Sequence, residues 1–198
     1  STPLYSSAAS DVYKRQVETW VENAMKYFTA RDFKICGTSP AGEEEKVYGY
    51  GKSVWAMIDT QSRQPVDIFS INDGLISQYI ETEKECPIAA SSRVKMSADA
   101  QLVRTIDTYY NDVDVNGHIN SVKYIEHILD LFDLDYYKAH FLQRFEIAYV
   151  AESHQGDKLN FYMEEVGENE YCIKVTKSMQ NSEKDIEVVR SKAKFIKK

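Results

Sequence analysis

Bulky and polar positions alternate along most of the chain from Val17 onward. VETWVE (residues 17–22) is rich in β-branched and aromatic side chains, which suit a half-buried strand. KYFTARDFKI (26–35) carries bulky groups at Tyr27, Phe28, Phe33 and Ile35, and VYGYGKSVWAMID (47–59) reads as a long return strand. Together they predict a hairpin with an irregular tip, where Gly37, Pro40, Gly42 and the acidic run Glu43 to Glu45 form a solvated loop. Gln64-Pro65 breaks the strand, and SINDGLISQYI (70–80) fits a short helix. Residues 81–101 are polar, with Pro87 and several small side chains, and read as a linker.

A second unit opens near Leu102. LVRTIDTYY (102–110) reads as a strand, DVDVNGH (112–118) as a loop, and NSVKYIEHILDLF (120–132) as one long helix. In that helix Val122, Ile125, Leu129 and Phe132 fall at helical spacing. Asn120 or Ser121 can cap it, because either side-chain oxygen can accept a free backbone N–H of the first turn. Four strand candidates follow: RFEIAYVAE (144–152), DKLNFYMEEV (157–166), EYCIKVTKSMQ (170–180) and DIEVVRSKAKFI (185–196). Turn signals separate them at Gln155-Gly156, Gly167-Glu168-Asn169 and Asn181-Ser182. Strand, loop, one long helix and four strands make an α+β unit, a helix packed on an antiparallel sheet. The first unit has hairpin strands but no long helix before them. If the two units are alike, its opening strand and helix are missing.

Composition narrows the class. The 198 residues are 43% hydrophobic and 12% aromatic, enough to bury a core, and the net charge of −7 argues against a dedicated nucleic-acid binder. No apolar run approaches the roughly 20 residues of a spanning helix. Cys36, Cys86 and Cys172 are odd in number, far apart and free of any CxxC, which predicts reduced core thiols in a cytoplasmic protein. SSAASDVYKRQ (6–16) can be encoded by the DNA string of a common transposon-based sequencing adapter. Residues 1–16 are therefore set aside as a non-native leader, with the natural coding sequence expected to continue upstream of Val17.

The chemistry concentrates in DVDVNGHINSVKY (112–124), where Asp114, Asn116 and His118 stand two apart just ahead of a helix. Asp, Asn and Gly also cluster in ordinary turns, with Asp112 as a cap and His118 as a polar cap. The functional reading uses the helix N-terminus, whose free N–H groups and partial positive charge suit an oxygen gaining negative charge in acyl transfer. A histidine there can bond that oxygen or move a proton, a carboxylate can activate water, and an asparagine can orient both. A second cluster, AESHQGD (151–157), supplies Glu152, alternatively a surface carboxylate at a sheet end. Ser153 lacks a GxSxG turn, so a serine nucleophile is disfavoured. His154 reads as exposed, and His127 and His140 as structural. With no HxxxH or HExxH, neither metal nor cofactor is expected.

DVDVNGHINSVKYIEHIL followed by EIAYVAES resembles the acyl-acyl carrier protein thioesterases of bacteria and plants, whose pattern is D-x-N-x-H-x-N-N-x-x-Y and then Y-x-x-E-C. Asp114, Asn116, His118, Asn120 and Tyr124 match the first part, with Ser121 in place of the second asparagine. Tyr149 and Glu152 match the second part, and Ser153 stands where plant members have cysteine. The likeness runs over residues 17–198. It implies tandem hot-dog folds, each a long helix wrapped by an antiparallel sheet. The first, 17–80, is incomplete; 81–101 is a linker; the second, 102–198, is complete and carries Asp114, Asn116, His118 and Glu152 as the catalytic set. It further implies hydrolysis of fatty acyl-acyl carrier protein in fatty acid biosynthesis, without a cofactor. A papain-like mechanism would need the missing cysteine. The partner is then an acidic carrier protein, for which RSKAKFIKK, with Arg190, Lys192, Lys194, Lys197 and Lys198, offers a basic patch. The same residues also fit an edge strand kept soluble by lysines. Homodimer formation is left open, and 17–198 expressed alone is expected to be poorly soluble or inactive. Two alternatives stand: a hot-dog thioesterase for coenzyme A esters, and a non-catalytic acyl-binding protein.

Overall fold

The computed structural model describes residues 14–38, 45–89, 93–178 and 185–198. The chain divides into two compact units, Ser1–Ala90 and Ser91–Lys198. The proposed leader falls mostly on residues 1–13, outside the described residues; Lys14, Arg15 and Gln16 extend the first strand.

In the first unit, β1 (Lys14–Ala24), β2 (Phe28–Thr38) and β3 (Glu45–Ala56) form an antiparallel sheet in that order. Met25 and Phe28 exchange backbone hydrogen bonds of 2.7 and 3.3 Å across the tight β1–β2 turn. Residues 39–44 of the hairpin tip lie outside the described residues, while Gly37 belongs to β2 and Glu45 opens β3. Register aligns Trp20, Asp32 and Lys52 across three strands, and Trp20, Asp32 and Cys36 are buried on this sheet. Instead of one short helix, residues Ile68–Tyr79 make 3-10 turns broken at Asn72, Asp73 and Gly74, whose φ angles of 48°, 52° and 73° are left-handed. Asn, Asp and Gly are the residues that reach this region at least cost, so the INDG string that suggests a helix interior interrupts it.

In the second unit, β4 (Gln101–Asp107), β5 (His140–Tyr149), β6 (Lys158–Gly167), β7 (Glu170–Ser178) and β8 (Ile186–Lys197) form an antiparallel sheet of order β4-β6-β7-β8-β5. The chain leaves by one edge, β4, and re-enters at the other, β5. The intervening helices must therefore cross the sheet face. They are α1 (Ser121–Leu129) and α2 (Leu134–Ala139), so the predicted long helix is split in two. Asp133 causes the break by capping a new helix, its carboxylate accepting Tyr136 N–H at 2.7 Å. The side chains that α1 buries are Tyr124 and Ile128, while Val122 is 52% exposed. They pack on Leu159, Phe161, Ile173, Val175, Val188 and Val189 of the sheet.

Three further expectations change. β8 lies between β7 and β5, so it is not an edge strand; its lysines face carboxylates, Lys192 and Lys194 meeting Glu170 and Lys197 meeting Glu168. β5 stops at Tyr149, which leaves Glu152 in the turn beyond the strand. Residues 93–100, read as linker, pack on this unit: Val94 is buried and Ser97 N–H bonds Glu164 at 2.9 Å. Cys36 and Cys172 are buried free thiols and Cys86 is half-buried. Among the described residues, no helix is long and apolar enough to cross a membrane.

Candidate active site

The loop from Asp112 to Asn120 is a tight turn held by its own polar groups. Asp112 accepts Tyr109 N–H on its carboxylate at 2.7 Å and Asn120 N–H on its carbonyl at 2.7 Å. Asp114 N–H bonds His118 O at 2.8 Å, and Gly117, at φ 82°, makes the left-handed step that closes the turn. The Asp114 carboxylate accepts the backbone N–H groups of Asn116 at 2.8 Å and His118 at 3.2 Å. Desolvation pushes its pKa up, but these N–H groups, the Asn116 amide and His118 together hold it below the ordinary value. The turn reading and the site reading therefore share these residues. Asn120 caps α1, accepting Val122 N–H at 2.9 Å.

The second cluster is laid beside the first by backbone pairing. His118 bridges His154 antiparallel, and Ile119 N–H bonds Ser153 O at 2.8 Å. Glu152 Oε2 consequently lies 3.3 Å from His118 Nε2, with the Glu152 side chain 48% exposed to solvent. The structure thus brings Asp114, His118 and Glu152 together. Asn116 stands exposed at the turn, its side chain interacting with Asp114. The Ser153 hydroxyl is buried, at 1% residue exposure, as is that of Tyr124; neither has a hydrogen bond of normal geometry. Burial raises the Tyr124 phenol, with the Ser153 hydroxyl opposing. Tyr149 bonds Ser121 O at 3.1 Å, beside the start of α1.

Several contributors escape sequence reading. Lys177, on β7, is buried and donates to Glu152 O at 2.8 Å, with Asp157 Oδ2 3.4 Å away. Asp157 in turn accepts His154 N–H at 2.9 Å. The Thr108 hydroxyl bonds Asp157 O at 2.7 Å and accepts Gly156 N–H at 2.9 Å. These groups fix the 152–157 turn, yet Thr108, just past β4, and Lys177, within β7, lie far apart in sequence with nothing local to mark them. The His154 ring, expected only to be exposed, meets His118 edge-to-face at 5.1 Å. His127 lies 3.5 Å from Asp112 and against Phe161; His140 stacks on Tyr136 and contacts its carbonyl at 3.0 Å. Both stand away from the pair of His118 and Glu152 in role, as packing groups.

Among the described residues, the one group with metal-ligand chemistry is Glu18, Cys36 and Glu45 of the first unit. Glu45 is engaged by Lys34, and burial raises the Cys36 thiol, which disfavours the thiolate a metal needs. At the site itself, a solvent-facing carboxylate beside an imidazole and a helix start can take a proton from water and stabilise an oxyanion.

The acyl-ACP thioesterase C-terminal domain family matches residues 95–197. A chloroplastic palmitoyl-acyl carrier protein thioesterase from Gossypium hirsutum is 28% identical over 142 residues, covering 69% of this chain and 33% of that protein. The chain thus spans a third of the length of this curated relative. An acyl-ACP thioesterase from Bacteroides thetaiotaomicron is 44% identical, with a TM-score of 0.79, covering 93% of this chain and 69% of that one. A 12:0-ACP thioesterase from Umbellularia californica, at 19% identity and a TM-score of 0.71, covers 93% of this chain and 68% of its own, and shares the hot-dog fold.

Proposed function

The chain belongs to the acyl-ACP thioesterase family, and from that premise we propose that it hydrolyses the thioester joining a fatty acyl group to acyl carrier protein, releasing the free fatty acid in fatty acid biosynthesis. The observation that carries this reading is Glu152 Oε2 at 3.3 Å from His118 Nε2, open to water. Glu152 is the general base. It takes a proton from a water molecule whose oxygen attacks the thioester carbonyl. Collapse of the tetrahedral intermediate breaks the C–S bond, and the proton passes to the departing sulfur. His118 and Asn116 position the thioester and hold its oxyanion, a role whose loss costs on the order of 10²-fold or more in kcat. Asp114, already committed to two backbone N–H groups, shapes the loop that presents them. Ser153 needs no part in this mechanism, and its burial opposes one. Three unpaired thiols fit a reducing, cytoplasmic setting.

Turnover of matched acyl-carrier-protein and acyl-coenzyme A substrates tests the reading. In the full-length enzyme Glu152→Gln is expected to lower kcat at least about 100-fold, while Ser153→Ala keeps most activity. The reverse pattern restores a covalent mechanism. Preference for coenzyme A esters reassigns the substrate, and acyl binding without turnover makes the protein a carrier.

A further inference from the structure

The second unit holds a cleft of about 410 Å³ lined by Arg93, Lys95, Met96, Ser97, Lys174, Glu187 and Arg190. It lies on the sheet face opposite the core. Lys174 and Arg190 are cross-strand partners on β7 and β8, and they alternate with the core residues Val175 and Val189. The segment from Arg93 to Ser97 forms the other wall, fastened by Arg190 to Val94 O at 3.2 Å and by Ser97 to Glu164.

The charge balance of this cleft is unlike that of its surroundings. Most cations of the second unit are neutralised: Lys123 by Glu126, Lys138 by Asp135, Lys158 by Asp107, Lys177 by Asp157, Lys192 and Lys194 by Glu170, Lys197 by Glu168. Inside the cleft the one carboxylate, Glu187, is taken by Arg190. Lys174 lies over the Tyr162 ring at 4.9 Å and acts on Glu164, whose carboxyl the Ser97 hydrogen bonds, helped by Lys174, hold below the ordinary value, while among the described residues Arg93 and Lys95 have no carboxylate partner within ion-pair distance. Four cations, Arg93, Lys95, Lys174 and Arg190, thus meet two carboxylates, Glu187 and Glu164, at one concave site in a chain of net charge −7, and Arg93 and Lys95 are uncompensated.

The cleft is also placed to serve the site. Arg190 pairs with Ala148, one residue before β5 ends and four before Glu152. At about 3.3 Å per residue the catalytic turn is about 13 Å further along the sheet. Resting on the function proposed above, we propose that this cleft is the docking surface for the acidic face of the carrier protein, whose flexible thioester arm then passes around the end of the sheet to Glu152 and His118. Of the basic stretch suggested by sequence, Arg190 lines this cleft, whereas Lys192, Lys194 and Lys197 face carboxylates.

Binding of fluorescently labelled holo-acyl carrier protein to the full-length protein, followed by anisotropy, tests this directly. The double charge reversal Lys95→Glu with Lys174→Glu is expected to weaken Kd at least about tenfold, and raising the salt to weaken wild-type binding in parallel. Replacing both lysines by arginine keeps binding. Hydrolysis of a carrier-free acyl-N-acetylcysteamine thioester stays within about twofold of wild type in the reversed variant, which excludes misfolding. Undiminished carrier binding in the reversed variant, salt-insensitive binding, or no binding at all overturns the docking surface, as does equal competition by millimolar inorganic phosphate. If reversal abolishes carrier binding while the wild type hydrolyses neither thioester, the surface stands and the hydrolase reading falls.

Discussion

At the scale of single residues, the site rests on side chains that use their polarity twice. Asp114 organises a turn with the same carboxylate that the sequence offers as a catalyst. Its depressed pKa favours the folded loop above the unfolded value of 3.8, and that contribution is lost only as pH falls below it. A kcat profile is therefore expected to show no Asp114 titration above pH 4; an acid limb there that vanishes in Asp114→Asn would contradict this. Lys177 acts through Glu152 rather than on substrate. Lys177→Met is expected to lower kcat on the order of 10²-fold with little change in KM, since small misplacements of a reacting group cost that much. Lys177→Arg should recover part of the loss. Asp32 carries the opposite sign. Burial, then Glu22, raises its carboxyl, with Lys52 opposing. A raised acid favours folding at low pH and costs stability as pH climbs past its unfolded value. Melting curves should therefore show Asp32→Asn stabilised at pH 7, with the gain shrinking toward pH 4.

At the scale of elements, α1 is pinned to the sheet by few groups. Ile128 is fully buried among sheet residues, so Ile128→Ala is expected to cost about 2–5 kcal/mol in denaturant unfolding. Asn120→Ala removes the cap, at about 1 kcal/mol. The strands of both sheets are legible in the sequence because alternation of apolar and polar side chains directly reports a half-buried strand. The Asp114, Asn116 and His118 spacing is legible because one turn encodes it locally. The break between α1 and α2 is less so: Asp133 reads as another polar position in a helical pattern until its capping bond is seen. The interior place of β8 is illegible for a different reason. Lysines mark an exposed face, and nothing in RSKAKFIKK says that Glu168 and Glu170 stand opposite. Thr108 and Lys177 depend on which strands become neighbours, and that is a property of the sheet.

At the scale of the whole molecule, the two units are unequally covered. In the first, register places Val17, Ile35 and Trp55 on one sheet face, and all three are exposed. Apolar surface of this kind promotes association. Residues 17–198 expressed alone are expected to elute as aggregates or oligomers in size-exclusion chromatography with light scattering; a monodisperse monomer would remove that concern. The second unit has a buried core, but its strand order sets a schedule. β5 pairs with β8 alone, and β6 and β7 are made in between. A ribosome that has delivered β5 has thus released a strand whose hydrogen-bond donors stay open until β8 clears the exit tunnel. Closure of this sheet is therefore a late event in synthesis.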